Sequence, residues 1–110
     1  MLAKRQRVTA GEMRALTRPT KRVQQPTLTV LYFAAPAVKK VAVVVSKKVS
    51  KKAVVRNRIR RQLYAQLFTL LPTLATGYYL VRVQPAILTC ERSVALAQLQ
   101  QAFGELPQTR

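Results

Sequence analysis

The stretch Ser46-Lys-Lys-Val-Ser-Lys-Lys-Ala-Val-Val-Arg-Asn-Arg-Ile-Arg-Arg61 joins the end of a predicted strand to the start of a predicted long helix. Eight of its sixteen residues are Lys or Arg, and none is acidic. Solvated helix faces usually mix both signs of charge, because opposite charges four residues apart attract each other. This stretch therefore indicates a surface that binds a polyanion. Its cations are Lys47, Lys48, Lys51, Lys52, Arg56, Arg58, Arg60 and Arg61.

Apolar residues at helical spacing predict the long helix. Five of them recur at intervals of three or four and form one stripe: Val55, Ile59, Leu63, Leu67 and Leu70. Pro72 ends the helix, because proline lacks the amide hydrogen and clashes with the preceding turn. We expect the stripe to pack on a sheet, which leaves the opposite face of the helix exposed.

The polar residues of this helix are suited to contacts with RNA. At about 100° per residue, four of them point away from the stripe: Asn57, Arg58, Arg60 and Arg61. Arg56 lies nearer the stripe, so it is either an RNA contact or a helix-edge residue that touches the sheet through its stem. Guanidinium groups fit phosphate and stack on bases, while an asparagine amide both donates and accepts hydrogen bonds. Arg56-Asn57-Arg58 is therefore interpreted as a docking element, with the lysines supplying longer-range attraction.

The composition is typical of one small domain with a large positive charge. The 110 residues include 20 Lys and Arg but only 3 acidic residues, which gives a formal net charge of +17. With 49% apolar residues, the chain can fill one modest core. This charge repels copies of the chain and favours phosphate backbones or anionic lipid as partners, so we expect a monomer.

The chemical inventory excludes catalysis by the protein itself. The chain has no His and no Asp, and its only carboxylates are Glu12, Glu91 and Glu105. Phosphodiester cleavage by protein groups requires a histidine pair, a carboxylate–metal cluster or an activated nucleophile. A zinc site is excluded for the same lack of ligands. No catalytic and no metal-binding residue is predicted, so in an enzyme the chemistry would belong to a partner.

Cysteine usage and hydropathy indicate the compartment. The single Cys90 cannot form an internal disulfide, which suits a reducing cytoplasm, and it is predicted to be a small half-buried filler. No apolar run reaches the ~18 residues of a membrane span, and residues 1–7 lack the apolar core of a signal peptide. We therefore expect a cytoplasmic protein that does not associate with membranes.

Local patterns predict the other elements. Thr9-Ala-Gly-Glu12 has the spacing of a capping box, which starts a short helix. Four strands and a last helix are predicted over residues 21–25, 27–34, 41–46, 78–84 and 91–103. Residues 35–40 are short enough for a hairpin between the second and third strands. The order α, β, β, β, α, β, α indicates an α/β (α+β) two-layer sandwich over residues 1–110, with residues 1–8 as a basic arm.

The basic motif and the order of elements resemble a known family. Val45-Ser-Lys-Lys48, followed by Ala53-Val-Val-Arg-Asn-Arg-Ile-Arg-Arg61, is similar to the signature of the protein subunit of bacterial ribonuclease P. The resemblance is dense over residues 40–68 and loose elsewhere, and Ser50 stands where many members carry Gly. It implies a ribosomal-protein-like four-stranded sheet with a left-handed βαβ crossover through the long helix, although such crossovers are normally right-handed.

The resemblance also implies a function. Ribonuclease P is a ribonucleoprotein that removes the 5′ leader of precursor tRNA, and its RNA, with bound Mg²⁺, performs the cleavage. Its protein subunit binds no cofactor of its own, and one copy per RNA is implied. In the family the motif contacts the catalytic RNA, and this role is carried onto Arg56, Asn57, Arg58, Arg60 and Arg61, with Lys47, Lys48, Lys51 and Lys52 assisting.

Family members bind the leader in a groove between the first helix and the sheet, where aromatic rings stack on bases for ~1–3 kcal/mol each. Here Met13 stands where Phe is usual and Thr17 replaces a second, often aromatic residue. Both faces of strand 27–34 are apolar, so the choice between Leu31 and Tyr32 stays open. The predicted leader contacts are Met13, Arg14, Thr17, Leu31, Tyr32, Phe33 and Arg82. Core packing is the alternative for Met13, Leu31, Tyr32 and Phe33. We expect leader binding that is weaker or that rests more on backbone charge, from Arg14, Lys47 and Arg82.

Two other classes of protein fit the charge. A ribosomal protein or nonspecific RNA chaperone would share the charge and the core, but charge alone does not require Arg-Asn-Arg after Val-Ser-Lys-Lys. A basic protein on an anionic membrane would carry Trp or Phe beside the cations of an amphipathic helix. The long helix instead has Val, Ile and Leu in a stripe that a core explains better.

Overall fold

The computed structural model describes residues 7–107, so six residues of the predicted arm and the last three residues lie outside it. Within this range the predicted order of elements is confirmed, and the strands and the last helix end within two residues of the predicted positions. The bounds are α1 (Ala10–Ala15), β1 (Lys21–Gln24), β2 (Leu28–Ala34), β3 (Lys39–Val44), α2 (Ala53–Leu70), β4 (Gly77–Val83) and α3 (Arg92–Gly104). Two 3-10 turns, Leu71–Thr73 and Pro85–Thr89, follow α2 and β4.

The four strands form one mixed sheet in the order β1-β2-β4-β3. β2 is antiparallel to both β1 and β4, while β3 runs parallel to β4. The predicted hairpin between the second and third strands is therefore wrong, because β4 lies between them. A short connection limits the distance between two strand ends but does not decide which strands pair. The handedness of the crossover through α2 stays a prediction.

Helices α2 and α3 cover one face of the sheet, as expected for a two-layer sandwich. The predicted stripe of α2 is confirmed, because its three central members are buried and its two outer members pack against the same core. Each fully buried leucine contributes roughly 1.5–3 kcal/mol relative to an exposed one. The core is completed by side chains of the sheet and α3, among them Leu28, Val30, Tyr32, Tyr79, Val81, Leu99 and Phe103.

The short helix α1 lies on the other face of the sheet. Its predicted capping box is confirmed: the Glu12 amide donates to Thr9 Oγ1 at 3.1 Å, and the Thr9 amide donates to Glu12 Oε1 at 3.0 Å. A smaller cluster packs beneath it, formed by Leu31, Phe33, Ala42 and Leu80 with Val8, Met13, Leu16 and Tyr78 around them. Both faces of the sheet are thus apolar, as the sequence predicted.

Two hydrogen bonds satisfy backbone groups on the free edge of β3, one from the segment before α1 and one to a side chain of α2. The Val8 amide donates to the Val41 carbonyl at 2.9 Å, and the Val43 amide donates to the Tyr64 hydroxyl at 3.0 Å. Edge strands left open invite pairing with other chains, so these contacts protect the sheet. Since Tyr64 belongs to α2, the second contact also fixes how α2 lies over β3.

None of the helices within residues 7–107 combines the length and apolar character that crossing a membrane requires.

Candidate nucleic-acid interface

The basic loop between β3 and α2 is anchored by one apolar side chain. Val49 is buried in the main core, and its amide donates to the Ser46 carbonyl at 3.0 Å, which closes a turn. Because the chain must turn inward at Val49, its neighbours turn outward. Four exposed lysines result: Lys47, Lys48, Lys51 and Lys52.

Arg56 holds this loop against the start of α2. Its Nη1 donates to the Ser50 carbonyl at 2.9 Å, and the side chain is half-buried. Arg56 thus lies at the helix edge, but its hydrogen-bond partner is the loop and not the sheet, and its contact with RNA stays a prediction. The arginine that begins the Arg-Asn-Arg motif therefore positions the four lysines.

The outward face of α2 is formed by Asn57, Arg58 and Arg61, which are all exposed as predicted. Arg60 differs from the prediction, because it is half-buried and its Nε is buried without a hydrogen-bond partner among residues 7–107. Arg60 lies one helical turn from both Arg56, which contacts the Ser50 carbonyl, and Tyr64, which contacts the Val43 amide of β3. It therefore lies on the side of the helix that faces β3. We call the four lysines together with Asn57, Arg58 and Arg61 the cationic surface.

The cationic surface surrounds an uncapped helix N-terminus. Lys52 is the N-cap residue of α2, its side chain makes no capping hydrogen bond, and the first turn contains no acidic residue. The free amides and the helix dipole make such an end partly positive. Lysines beside it are therefore unfavourable, each by roughly 0.3–1 kcal/mol. A bound phosphate would remove this repulsion and accept hydrogen bonds from the same amides.

The predicted leader contacts lie in two different places. Leu31 and Phe33 face α1 but are only 5% and 7% exposed beneath it, with Met13 half-buried above them. Tyr32 faces the opposite side, where its ring stacks on Tyr79 at 4.9 Å and its hydroxyl donates to the Thr76 carbonyl at 2.7 Å. Including Tyr32 among the leader contacts was therefore wrong, since it is part of the main core. Arg14, Thr17 and Arg82 are exposed.

Glu12 connects α1 to the sheet through hydrogen bonds of its carboxylate. Its carboxylate accepts from Lys40 Nζ at 2.9 Å and from the Tyr78 hydroxyl at 3.1 Å. The Lys40 hydrogen bond, with help from the Thr9 amide, lowers the pKa of Glu12 from 4.5 to about 2. Burial, and then the hydrogen bond to Glu12, raises the pKa of Tyr78. The negative charge on this face is thus neutralised locally by Lys40.

A cleft joins the α1 face to the cationic surface. It measures about 450 Å³ and lies where the parallel strands β3 and β4 end, lined by Val44, Ser46, Lys48, Arg82, Val83, Gln84 and Pro85. The structure therefore brings Arg82 and Lys48 into one site, although they were predicted for two. Tyr78 is a site residue that the sequence reasoning missed. The sequence did contain a signal for it. Tyr78 and Arg82 are four residues apart in β4, and every second residue of a strand faces the same side of the sheet.

The described residues do not form a metal site. Within residues 7–107, no three His, Cys, Asp or Glu side chains come together. Glu91 and Glu105 lie at opposite ends of α3, where they are the N-cap and C-cap residues. A magnesium ion therefore has no fitting ligand set on this part of the protein.

The fold and the site define a class of protein: a small, strongly basic α+β domain with a cationic helix beside a four-stranded mixed sheet. A family model described as Ribonuclease P matches residues 2–107. Because this match spans nearly the whole chain, the chain belongs to the ribonuclease P protein family, whose members act in tRNA processing. No curated protein sequence matches the chain significantly.

Solved structures of bacterial ribonuclease P proteins share the fold. The ribonuclease P protein of Staphylococcus aureus aligns over 96% of this chain and 89% of its own, with a TM-score of 0.66 and 20% identity. A mutant of the S. aureus protein with defective mRNA degradation activity covers 76% of this chain and 72% of its own, with a TM-score of 0.69 and 17% identity. The Thermotoga maritima protein, solved in complex with 1-(4-fluorophenyl)-2-thiourea, covers 78% and 85%, with a TM-score of 0.67 and 16% identity. These similarities establish the fold.

Proposed function

We propose that this chain is the protein subunit of a ribonuclease P ribonucleoprotein and that it docks on the catalytic RNA through the cationic surface. The observation that carries the proposal is how this surface is held. Val49 in the core and the Arg56 contact to Ser50 fix the loop, so that its lysines and the N-terminus of α2 face solvent together. A surface ordered in advance loses little conformational entropy when RNA binds.

Side-chain chemistry favours RNA over other polyanions. Arg58 and Arg61 can each give a planar, two-pronged contact to phosphate, and Asn57 beside them can both donate to and accept from a base or sugar. A nonspecific RNA chaperone needs charge alone, which lysines supply. The combination of all three on one exposed helix face supports a defined docking site.

We infer that the 5′ leader of precursor tRNA runs along the α1 face toward the cleft that contains Arg82 and Lys48. Leu31 and Phe33 form the floor beneath α1, so the half-buried side chains that can offer apolar surface are Val8, Met13, Leu16 and Tyr78. With so little aromatic surface available, Arg14, Arg82 and Lys48 would hold the leader mainly through its phosphates. Leader binding should then be salt-sensitive and tolerant of base sequence.

In this proposal no side chain of the chain is catalytic. Mg²⁺ would be held by the RNA, since residues 7–107 of the protein offer no fitting ligand set, and it would activate the water that attacks the scissile phosphate. The protein, one copy per RNA in the cytoplasm, would reduce repulsion between two polyanions and favour precursor over mature tRNA by contacting the leader.

A reconstitution assay tests the proposal. Ribonuclease P RNA from the same source would cleave a 5′-labelled precursor tRNA at low Mg²⁺, with and without the protein, and with long or trimmed leaders. We expect the protein to restore cleavage at the mature 5′ end, with a smaller gain for a trimmed leader. The Lys52→Ala/Arg61→Ala variant should bind the RNA more weakly and lower the log–log salt slope of binding by about two, because each removed cation leaves one phosphate unneutralised.

The matched control is Lys21→Ala/Arg22→Ala, which removes the same charge from β1, at the sheet edge opposite β3. We expect its salt slope to stay close to that of the wild type. Equal slopes for both double variants would show that charge in general, and not the cationic surface, binds the RNA. If the protein binds RNA but never improves cleavage, the chaperone function takes precedence.

A further inference from the structure

A second cleft lies between the first half of α2 and the first turn of α3. It encloses about 190 Å³, with apolar walls from Val55, Ile59 and Leu63 of α2 and from Ala95 and Leu96 of α3. The 3-10 turn Pro85–Thr89 closes one side with Ile87 and Leu88. Cavities of ~150 Å³ with apolar walls accept a benzene ring, so this cleft has room for one flat ring.

Exposed apolar side chains cluster around this cleft. Four large apolar residues are exposed within residues 7–107, and three of them lie on the segments that border it. These are Val54 in the first turn of α2, Leu88 in the 3-10 turn and Val94 in the first turn of α3. The fourth, Phe68, lies near the other end of α2. Apolar surface concentrated in one place indicates that something covers it.

The positive charge at the rim of the cleft indicates that its ligand carries an anionic group. Arg58 and Arg92 line the cleft together with Gln62, while Glu91 precedes Arg92 as the exposed N-cap residue of α3. The cleft lining therefore includes two arginines and no carboxylate, although Glu91 is next to Arg92 in the chain. A ligand with a flat ring and an attached anion fits apolar walls beneath such a rim, and a nucleotide has both parts.

We propose that this cleft binds one unpaired nucleobase of the RNA that docks on the cationic surface, with the base between Val55 and Leu88 and its phosphate at Arg58 and Arg92. The inference rests on the proposed function, because Arg58 belongs both to the cationic surface and to the cleft. Proteins that recognise RNA sequence commonly bind unstacked bases, which stack on aromatic rings or on Arg guanidinium planes. In this cleft, Arg58 and Arg92 are the groups of that kind. The cleft would thus give a largely electrostatic interface one position at which a base is recognised.

Matched substitutions test the apolar contact. Leu88→Asp places a carboxylate where the base would pack, and Phe68→Asp makes the same chemical change at an equally exposed residue of α2 (51% and 50% exposed). We expect Leu88→Asp to weaken binding to the ribonuclease P RNA about tenfold relative to Phe68→Asp, with the same salt slope for both. Arg92→Ala should lower the slope by about one. Melting temperatures of both Asp variants close to that of the wild type would show that neither is unfolded.

Cys90 provides an independent readout, because it lines the cleft and is the only cysteine. Docking of the RNA should slow its alkylation by N-ethylmaleimide several-fold. In the Cys90→Ser/Phe68→Cys variant, the thiol at position 68 should remain reactive.

Unprotected Cys90 and equal affinities of the two Asp variants would overturn the inference. The proposed function would still stand if Lys52→Ala/Arg61→Ala weakened binding, and it would fail too if that variant bound normally. Protection of Cys90 by phosphatidylglycerol vesicles but not by RNA would assign the cleft to a membrane and overturn the proposal.

Discussion

Gly77 begins β4 with a φ of +148°, a backbone conformation that residues with a Cβ rarely adopt. An added Cβ would lie 2.6 Å from the Phe33 carbonyl oxygen and 2.6 Å from Cε1 of Tyr32. Neither atom can easily move, because the first is sheet backbone and the Tyr32 ring is held by its stacking on Tyr79 and its hydrogen bond to Thr76. We therefore expect Gly77→Ala to lower the free energy of unfolding by about 2–3 kcal/mol, measured by urea denaturation.

Gly104→Ala is the matched control for this substitution. Gly104 ends α3, and no heavy atom lies within 4 Å of a Cβ added there. Alanine is the better helix former, so the control should raise stability by roughly 0.5 kcal/mol. A decrease of similar size at both positions would mean that the close approach at Gly77 is not what constrains it.

At the same scale, spacing predicted which residues share a face but not what each face meets. Period two correctly placed Leu31 with Phe33, yet both faces of β2 are apolar, so the pattern could not tell which face lies under α1. The position of Tyr32 was decided by Tyr79 and Thr76, which lie more than forty residues away in the chain. Likewise, helical spacing placed Arg56 at the stripe edge but could not show that the Ser50 carbonyl is its partner.

Helix α1 depends on Glu12 because it has little stability of its own. It has six residues and no fully buried one, whereas isolated helices shorter than ~12–15 residues are marginal in water. Lys40 lowers the pKa of Glu12 from 4.5 to about 2, so the ion pair is fully formed above pH 4.5 and breaks as the pH falls toward 2. We expect the protection factors of the α1 amides, which correct for the pH dependence of intrinsic exchange, to fall several-fold across this window, while those of α2 stay unchanged.

Glu12→Gln should produce the loosened α1 already at neutral pH and abolish its response to acid. Glu105→Gln, at the C-cap of α3, serves as the control and should leave α1 protected. An equal fall in the α1 protection factors of the wild type and of Glu12→Gln on acidification would show that another group is responsible.

The sequence was most informative for elements with a local signal. The capping box at Thr9 and the stripe of α2 needed only residues within one or two turns of each other. The hairpin prediction failed because strand pairing depends on the whole sheet, in which β4 enters between two strands that precede it. The 3-10 turn Pro85–Thr89 was not predicted either, and without it the cleft beside α3 has no closing wall.

At the scale of the whole molecule, the predicted site has two parts: docking residues that are close together in the chain, and leader contacts that are far apart in it. The docking residues lie within the single segment 47–61, so one loop and one helix suffice to place them, although Arg56 and Arg60 are half-buried rather than exposed. The predicted leader contacts come from α1 and Thr17 after it, from β2 and from β4, and their assembly depends on the sheet order. A contiguous site can be inferred from sequence, whereas a site assembled across elements needs the fold.

The net charge of +17 should make stability depend on anions. Of the three acidic residues, Glu12 pairs with Lys40, while the cationic surface has no acidic residue in its segment. Unpaired like charges destabilise a compact state, and an anion that binds the folded chain alone stabilises it. At about ten times its Kd, millimolar pyrophosphate should add about 1.4 kcal/mol, or about 6 °C in Tm, over chloride of equal ionic strength.

The Lys52→Ala/Arg61→Ala variant separates site binding from general screening in this melting experiment. Screening acts on every charge, so chloride should raise the Tm of the variant about as much as that of the wild type. The additional gain in pyrophosphate should shrink, because this ligand needs several cations and free helix amides at one place. Equal Tm values for the wild type in the two salts would show instead that the cationic surface is an extended field without a discrete phosphate site.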